Sequence, residues 1–231
     1  MATIKEIVYD IKNIIRGGIQ SDDDIISDRQ IEFQIHSLRA QFIRQDINKR
    51  RSISDNIKQM IHCLDIQSVK GSTCGLSDDI NIMRSKEKIP NPIETSHSDL
   101  ITTIGPTGIL STGFHIIPYN RAPWVGTNRY TKRMTFAFIL DSFVYILGPE
   151  VELIEHIKVE GVWQNPIDIS NYKTSTGDPC YDKENDEYPL STSMLGLIKE
   201  NMLTQNMQPF ISSFTDSSNN TKSDVQPNTQ K

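Results

Sequence analysis

The residue types that most often carry chemistry are present in this sequence, but their spacing assembles no reaction. The five histidines, His36, His62, His97, His115 and His156, stand far apart, so no local zinc-ligating pair exists. Cys63 and Cys74 lie outside any CxxC pattern, and with Cys180 they make an odd total of three. That usage fits a reducing compartment and argues against a disulfide scaffold. Asp22-Asp23-Asp24 with Asp28 offers carboxylates for calcium, yet the stretch lacks the mid-loop glycine and closing glutamate of a calcium loop. A solvated loop, or acidic charge at a helix start, explains it more simply. Gly71-Ser72-Thr73-Cys74-Gly75 has the glycine spacing of a nucleophile elbow but puts threonine at its centre, with no strand-turn-helix pattern around it. Gly126, Gly148 and Gly161 are solitary, so no phosphate-cradling loop is present. Asn219-Asn220-Thr221 matches a glycosylation sequon, which needs a secretory context to be used. No catalytic, metal-binding or cofactor-binding residue is therefore expected, and the chain reads as a protein that is not an enzyme.

Two clusters carry recognition chemistry instead. Tyr119 to Tyr130 packs Tyr119, Arg121, Trp124, Arg129 and Tyr130 into a loop with Pro123 and Gly126, the composition of a protein–protein hot spot. The other reading of the same residues is a tryptophan lid over a sheet edge with the arginines in solvent. Lys49-Arg50-Arg51 is a short basic run at a helix end, where cations suit the negative pole of the dipole. The lesser reading is contact with DNA or an acidic partner, with binding that falls steeply with salt.

These clusters need elements to position them. Ile4, Ile7, Val8, Ile11, Ile14 and Ile15 recur at helical spacing, and Gly17-Gly18 stops that helix. A second helix is expected from Ser27, where Ser27 and Gln30 have capping-box spacing, with Ile31, Ile35, Leu38 and Phe42 on one face. Two stripes joined by a short loop predict an antiparallel helical hairpin over residues 1–59.

From about Met60 the rhythm changes to period two. Strands are expected around Ile80 and Ile82, over Leu100–Ile104, Ile109–Tyr119, Met134–Leu140, Phe143–Leu147 and Leu153–Val162. Asp141-Ser142 makes the clearest hairpin turn, whereas Ile89-Pro90-Asn91-Pro92 cannot be a central strand. The fold class is α+β, with an antiparallel sheet or small barrel over 60–169. Phe138, Tyr145 and Trp163 are expected to anchor the sheet core and Trp124 to lie at a subunit contact.

Residues 170–231 are mostly polar and read as an extended arm with one short helix over Leu190–Met202. Its apolar residues, among them Leu195, Ile198, Met202, Phe210 and Phe214, are expected to anchor on a partner that orders the arm.

Charge and hydropathy exclude other classes. The formal charge is −5, and no half of the chain is a basic arm, so nucleic acid is not the expected primary ligand. A weakly acidic wall suits a DNA conduit better than a DNA binder. No apolar run approaches a bilayer span. Lys5, Glu6, Asp10 and Lys12 break up the first apolar stretch, so synthesis and retention in the cytoplasm are expected.

Several segments, in order, resemble the head-to-tail adaptor (ring) structural proteins of crAss-like and other short-tailed bacteriophages. They are Asp28 to Phe33, Leu38 to Gln45, Met83 to Pro90, Ile101 to Gly105, Tyr119 to Tyr130 and Val159 to Pro166. The resemblance spans roughly residues 3–215. It implies a dodecameric ring of this chain docked on the portal protein at the head–tail junction of the virion. Further ring and tail proteins would lie beyond it, packaged DNA would make transient non-specific contact, and no membrane or cofactor would be involved. A cytosolic, non-catalytic binding or regulatory module is the alternative reading.

Overall fold

The computed structural model describes residues 2–15, 26–49, 54–71, 81–95, 99–108, 112–126, 128–149 and 151–206. Helix α1 (Ile4–Ile15) buries Ile4, Ile7, Val8 and Ile11, while Ile14, also on the expected stripe, is 48% exposed. Helix α2 (Asp28–Asn48) starts where expected: the Ser27 hydroxyl accepts the Gln30 N–H at 3.3 Å, filling one of the orphan donors of the first turn. Lys12 of α1 pairs with Asp28 at the start of α2, while Lys5 is tied by Glu184 to the segment whose Lys183 holds Glu32. These pairs hold α1 near the first turns of α2, and the apolar faces of both helices share one core.

Seven strands follow, β1 (Gln59–Lys70), β2 (Asn81–Ser85), β3 (Ile101–Pro106), β4 (His115–Ile116), β5 (Phe136–Leu140), β6 (Phe143–Leu147) and β7 (His156–Gly161). Their order in the sheet is β3-β7-β1-β2-β6-β5-β4. Long β1 is the hub, pairing β7 along its first half and β2 along its second, with a register shift between Ile61 and Leu64 that bends it. The Phe114 N–H donates to the Ile104 carbonyl at 2.6 Å, so the segment entering β4 meets β3 and the sheet curls almost into a barrel. Ile61, Leu64, Ile104, Val144, Ile146, Ile157, Val159 and Trp163 fill its interior. Where β7 passes β3, a Cβ on Gly161 would stand 2.9 Å from the Leu100 carbonyl, so only glycine fits that approach.

One expectation about the sheet is corrected. Among the described residues of the strand expected over 109–119, only His115–Ile116 is strand, and it runs parallel to β5, making the sheet mixed. The long connection through residues 117–135 allows this, because it carries the chain from the end of β4 back to the edge of the sheet where β4 began.

The Asp141-Ser142 turn is as expected. Leu140 faces Phe143, and the two turn residues have φ of 52° and 66°, the type I′ geometry that matches strand twist. Neither is glycine, so Ser142→Gly is expected to raise the unfolding free energy by roughly 0.5–1 kcal/mol in urea titration. Ser142→Val should lower it by more than about 1 kcal/mol, since a β-branched residue resists positive φ.

Within the arm expected over 170–231, residues 170–206 pack on the protomer itself, and residues 207–231 lie outside the described residues. Tyr181 and Tyr188 are 5% and 1% exposed, and helix α3 (Thr192–Asn201), capped by Ser191, lies against α2. Three tyrosines (Tyr172, Tyr181 and Tyr188) supply the apolar surface that a count of aliphatic residues overlooks. The helical core also takes in Ile57, Ile93, Val162 and Leu190, so segments 1–59, 60–169 and 170–206 share it.

Arg39 ties these segments together. Fully buried, it donates to the carbonyls of Pro189 (2.8 Å), Trp163 (2.7 Å) and Ile57 (3.3 Å). Beside it, His36 Nδ1 lies 2.6 Å from the Tyr188 hydroxyl. Burial, reinforced by Arg39 and Lys183, lowers the His36 pKa from 6.5 to about 4. The unfolded chain therefore binds this proton more readily than the folded one between those values. Stability is expected to be full above about pH 6.5 and to fall by up to about 3 kcal/mol as pH drops to 4. His36→Gln should flatten that part of the profile in denaturation titrations.

Candidate subunit interface

Strands β5 and β6 build the platform for the aromatic loop. Ala137, Val144 and Ile146 point into the barrel, so period two sends Phe136, Phe138 and Tyr145 to the opposite face. There Phe138 and Tyr145, directly paired across the strands, stack with ring centroids 5.0 Å apart, and the Tyr119 ring covers Phe138 at 5.7 Å. This refines the expected core anchors. Trp163 fills the barrel, while Phe138 and Tyr145 are buried on its outside, beneath the loop.

The loop is braced by its own backbone. Residues Tyr119–Trp124 form a 3-10 turn after Pro118, whose carbonyl accepts the Arg121 N–H at 2.9 Å. Gly126, with φ of 79°, reverses the chain. The Asn128 carbonyl then accepts the N–H groups of Thr131 and Lys132 at 3.1 and 3.0 Å. A chain bonded in this way holds its side chains outward at little further entropic cost.

Those side chains are large and exposed. Trp124 is 78% exposed and Tyr130 77%, and the Arg129 guanidinium lies 6.0 Å from the Tyr130 ring centroid. Arg121, Arg129, Lys132 and Arg133 are all exposed. The lid over the sheet is thus Tyr119 rather than Trp124. Next to the loop, half-exposed Ile116 and Met134 and the exposed Leu153 extend the apolar surface around a groove lined by Phe114 and Ile154. A large exposed aromatic patch rimmed by cations has the composition of a protein–protein interface.

Sequence reading singled out Arg121, Trp124, Arg129 and Tyr130, all four of which are exposed in the structure. It missed Ile116, Lys132, Arg133, Met134 and Leu153. One signal was available: residues 100–140 contain no Asp or Glu, which charge averaged over thirds of the chain conceals.

The C-terminal anchors are corrected. Ile198 and Met202 are 0% exposed within the protomer's own helical core, and Leu195 packs against it partly buried. An amphipathic helix buries its stripe on the nearest apolar face, here that of α1 and α2. Phe210, Phe214, Arg50 and Arg51 lie outside the described residues. Lys49 is exposed at the C-cap of α2, its N–H bonded to the Gln45 and Ile47 carbonyls, the position expected for a cation at a helix end.

The arrangement nearest to catalytic chemistry is on β1 and β7, where Asp65 accepts from Lys86 Nζ at 3.0 Å and pairs with His156 Nδ1 at 2.8 Å. The nearby Cys63 thiol is no activated nucleophile, because burial, then the Asp65 and Cys180 charges, push its pKa up. Among the described residues no group of three or more His, Cys, Asp or Glu is placed to hold a metal ion. Among them, too, no helix is long and apolar enough to cross a membrane.

Compared with known proteins, residues 6–225 match the family model described as phage tail ring protein 2. No curated protein matches the chain.

Proposed function

We propose a specific place for this chain within the phage tail ring protein 2 family, to which it belongs: one protomer of a head-to-tail adaptor ring of twelve copies. The family makes it a structural ring component of crAss-like phages, a role that requires association with copies of itself and with other tail proteins. The finer reading places the ring on the portal protein at the head–tail junction, continuing the channel through which DNA leaves. The observation that carries it is the braced Tyr119–Met134 loop, which exposes two large aromatics and four cations on one surface.

A closed ring needs two different faces on each protomer, one meeting the other head to tail. The nearly closed barrel and the helical layer locked by Arg39 give a stiff body for such contacts. Phe210 and Phe214, with Ile211 between them in a mostly polar stretch, suit by composition an anchor on the portal. The weakly acidic total charge suits a channel wall that DNA slides past, with Lys49, Arg50 and Arg51 as its transient contacts. Quantitative mass spectrometry of purified virions tests the placement. A one-to-one ratio of this chain to portal protein is expected, and absence from the virion would overturn it.

A further inference from the structure

The exposed loop has a surface of opposite sign on the same protomer. Arg121, Arg129, Lys132 and Arg133 stand in a stretch without any acid, whereas Asp178, Asp182, Glu184, Asp186 and Glu187 are accompanied only by Lys183. The loop is mounted on β5 and β6 by Tyr119. The acidic turn is mounted instead on the helical layer, through Lys5 with Glu184 and Lys183 with Glu32. The two are thus built on different parts of the fold.

The acidic turn is as well braced as the loop. Asp182 accepts the Glu184 N–H at 2.9 Å and the Asn185 side chain at 2.6 Å, while Asp186 accepts the Asp182 N–H at 2.7 Å. Buried Tyr181 and Tyr188 pin its two ends. The backbone bond from Glu184 and the Asn185 amide hold the Asp182 carboxyl below its usual pKa, so the turn stays anionic. Lys183 is paired with Glu32 and Lys5 with Glu184, so carboxylates still outnumber cations on the turn.

We propose that the Arg121–Arg133 loop of one protomer docks on the Asp178–Glu187 turn of the next copy, forming the lateral contact of the ring. This rests on the ring reading and names the two faces that a head-to-tail contact needs. Both are pre-shaped, so little ordering entropy opposes docking, and their opposite charges steer the encounter and fix its direction. Trp124 and Tyr130 supply the apolar centre that surface charges alone lack. Duplex DNA is the other polyanion such a loop could meet. A partner charge on this chain itself, and a net charge of −5, favour the second copy.

The test uses the full-length protein and two charge-reversed variants, Arg129→Glu/Arg133→Glu and Glu184→Lys/Glu187→Lys, with mass photometry reading assembly size. Each variant alone is expected to need a roughly tenfold or greater rise in concentration to assemble, because like charges then face each other at every contact. An equimolar mixture should assemble like the wild type, since each variant's loop matches the other's turn and copies can alternate around the ring. Wild-type rings that persist in both variants overturn the pairing and leave the ring reading standing. So does loss of duplex binding in the loop variant with its rings intact, which assigns the loop to DNA. A wild-type protein that stays monomeric at all concentrations overturns the ring reading itself.

Discussion

Replacing Trp124 by Ala is expected to abolish closed rings at concentrations where the wild type assembles, while the protomer's unfolding transition stays within error of the wild type. The residue is 78% exposed, on a turn braced by backbone hydrogen bonds and mounted through Tyr119 on Phe138. Its removal therefore opens no cavity in the protomer. At a contact, a tryptophan that becomes buried ranks among the residues worth about 2 kcal/mol or more, roughly a thirtyfold change in affinity. Every protomer in a closed ring makes that contact on both sides, so the loss is repeated at each junction. Sizing chromatography and thermal unfolding of the same sample separate the outcomes. If the variant unfolds early, the indole has a packing role and the interface assignment fails.

Arg39→Ala is expected to destabilise the protomer by about 3–5 kcal/mol, read as a shifted midpoint in urea with native helicity lost first. The guanidinium is fully buried and supplies donors to three carbonyls from three segments, so its loss leaves all three buried and unpaired. Tyr188, whose ring centroid lies 5.9 Å from the guanidinium, loses that cation–π contact too. Arg39→Lys should recover only part of the loss, because an ammonium cannot reproduce the planar fork that meets the carbonyls of Pro189 and Trp163 together. Near-wild-type stability of Arg39→Ala would show that the three segments hold together without it.

These two residues mark how far the sequence could be read. The exposure of Trp124 was legible because Trp, Tyr and Arg crowd a short stretch with Pro123 and Gly126, a composition that seldom serves a core. The helices and the Asp141-Ser142 hairpin were legible because their rules are local: a 3.6-residue stripe, a Ser27 cap, and two turn residues between period-two runs. Arg39 was not. On a helix it reads as one more polar residue, and only the arrival of Ile57, Trp163 and Pro189 around it, distant in sequence, reveals a buried tie.

The same non-local cause misplaced residues 170–206. Their polarity suits a free arm, but Tyr181, Tyr188, Leu190, Ile198 and Met202 find a ready apolar surface on α1 and α2 that no local count displays. The parallel pairing of β4 with β5 also lay beyond pattern reading, because strand direction follows from where a long connection returns. The family match over residues 6–225 agrees with the resemblance carried by the ordered segments, whose signal is spread along the chain and not concentrated in one motif.

The central claim is that this protein closes into a ring through two faces of its own. Electron-micrograph class averages of the full-length protein, alone and mixed with its portal, test it most directly. The account predicts closed, rotationally symmetric rings of twelve subunits in which Trp124→Ala is not incorporated. Monomers or two-fold dimers as the sole species in both samples, with the wild-type protein folded, would contradict it.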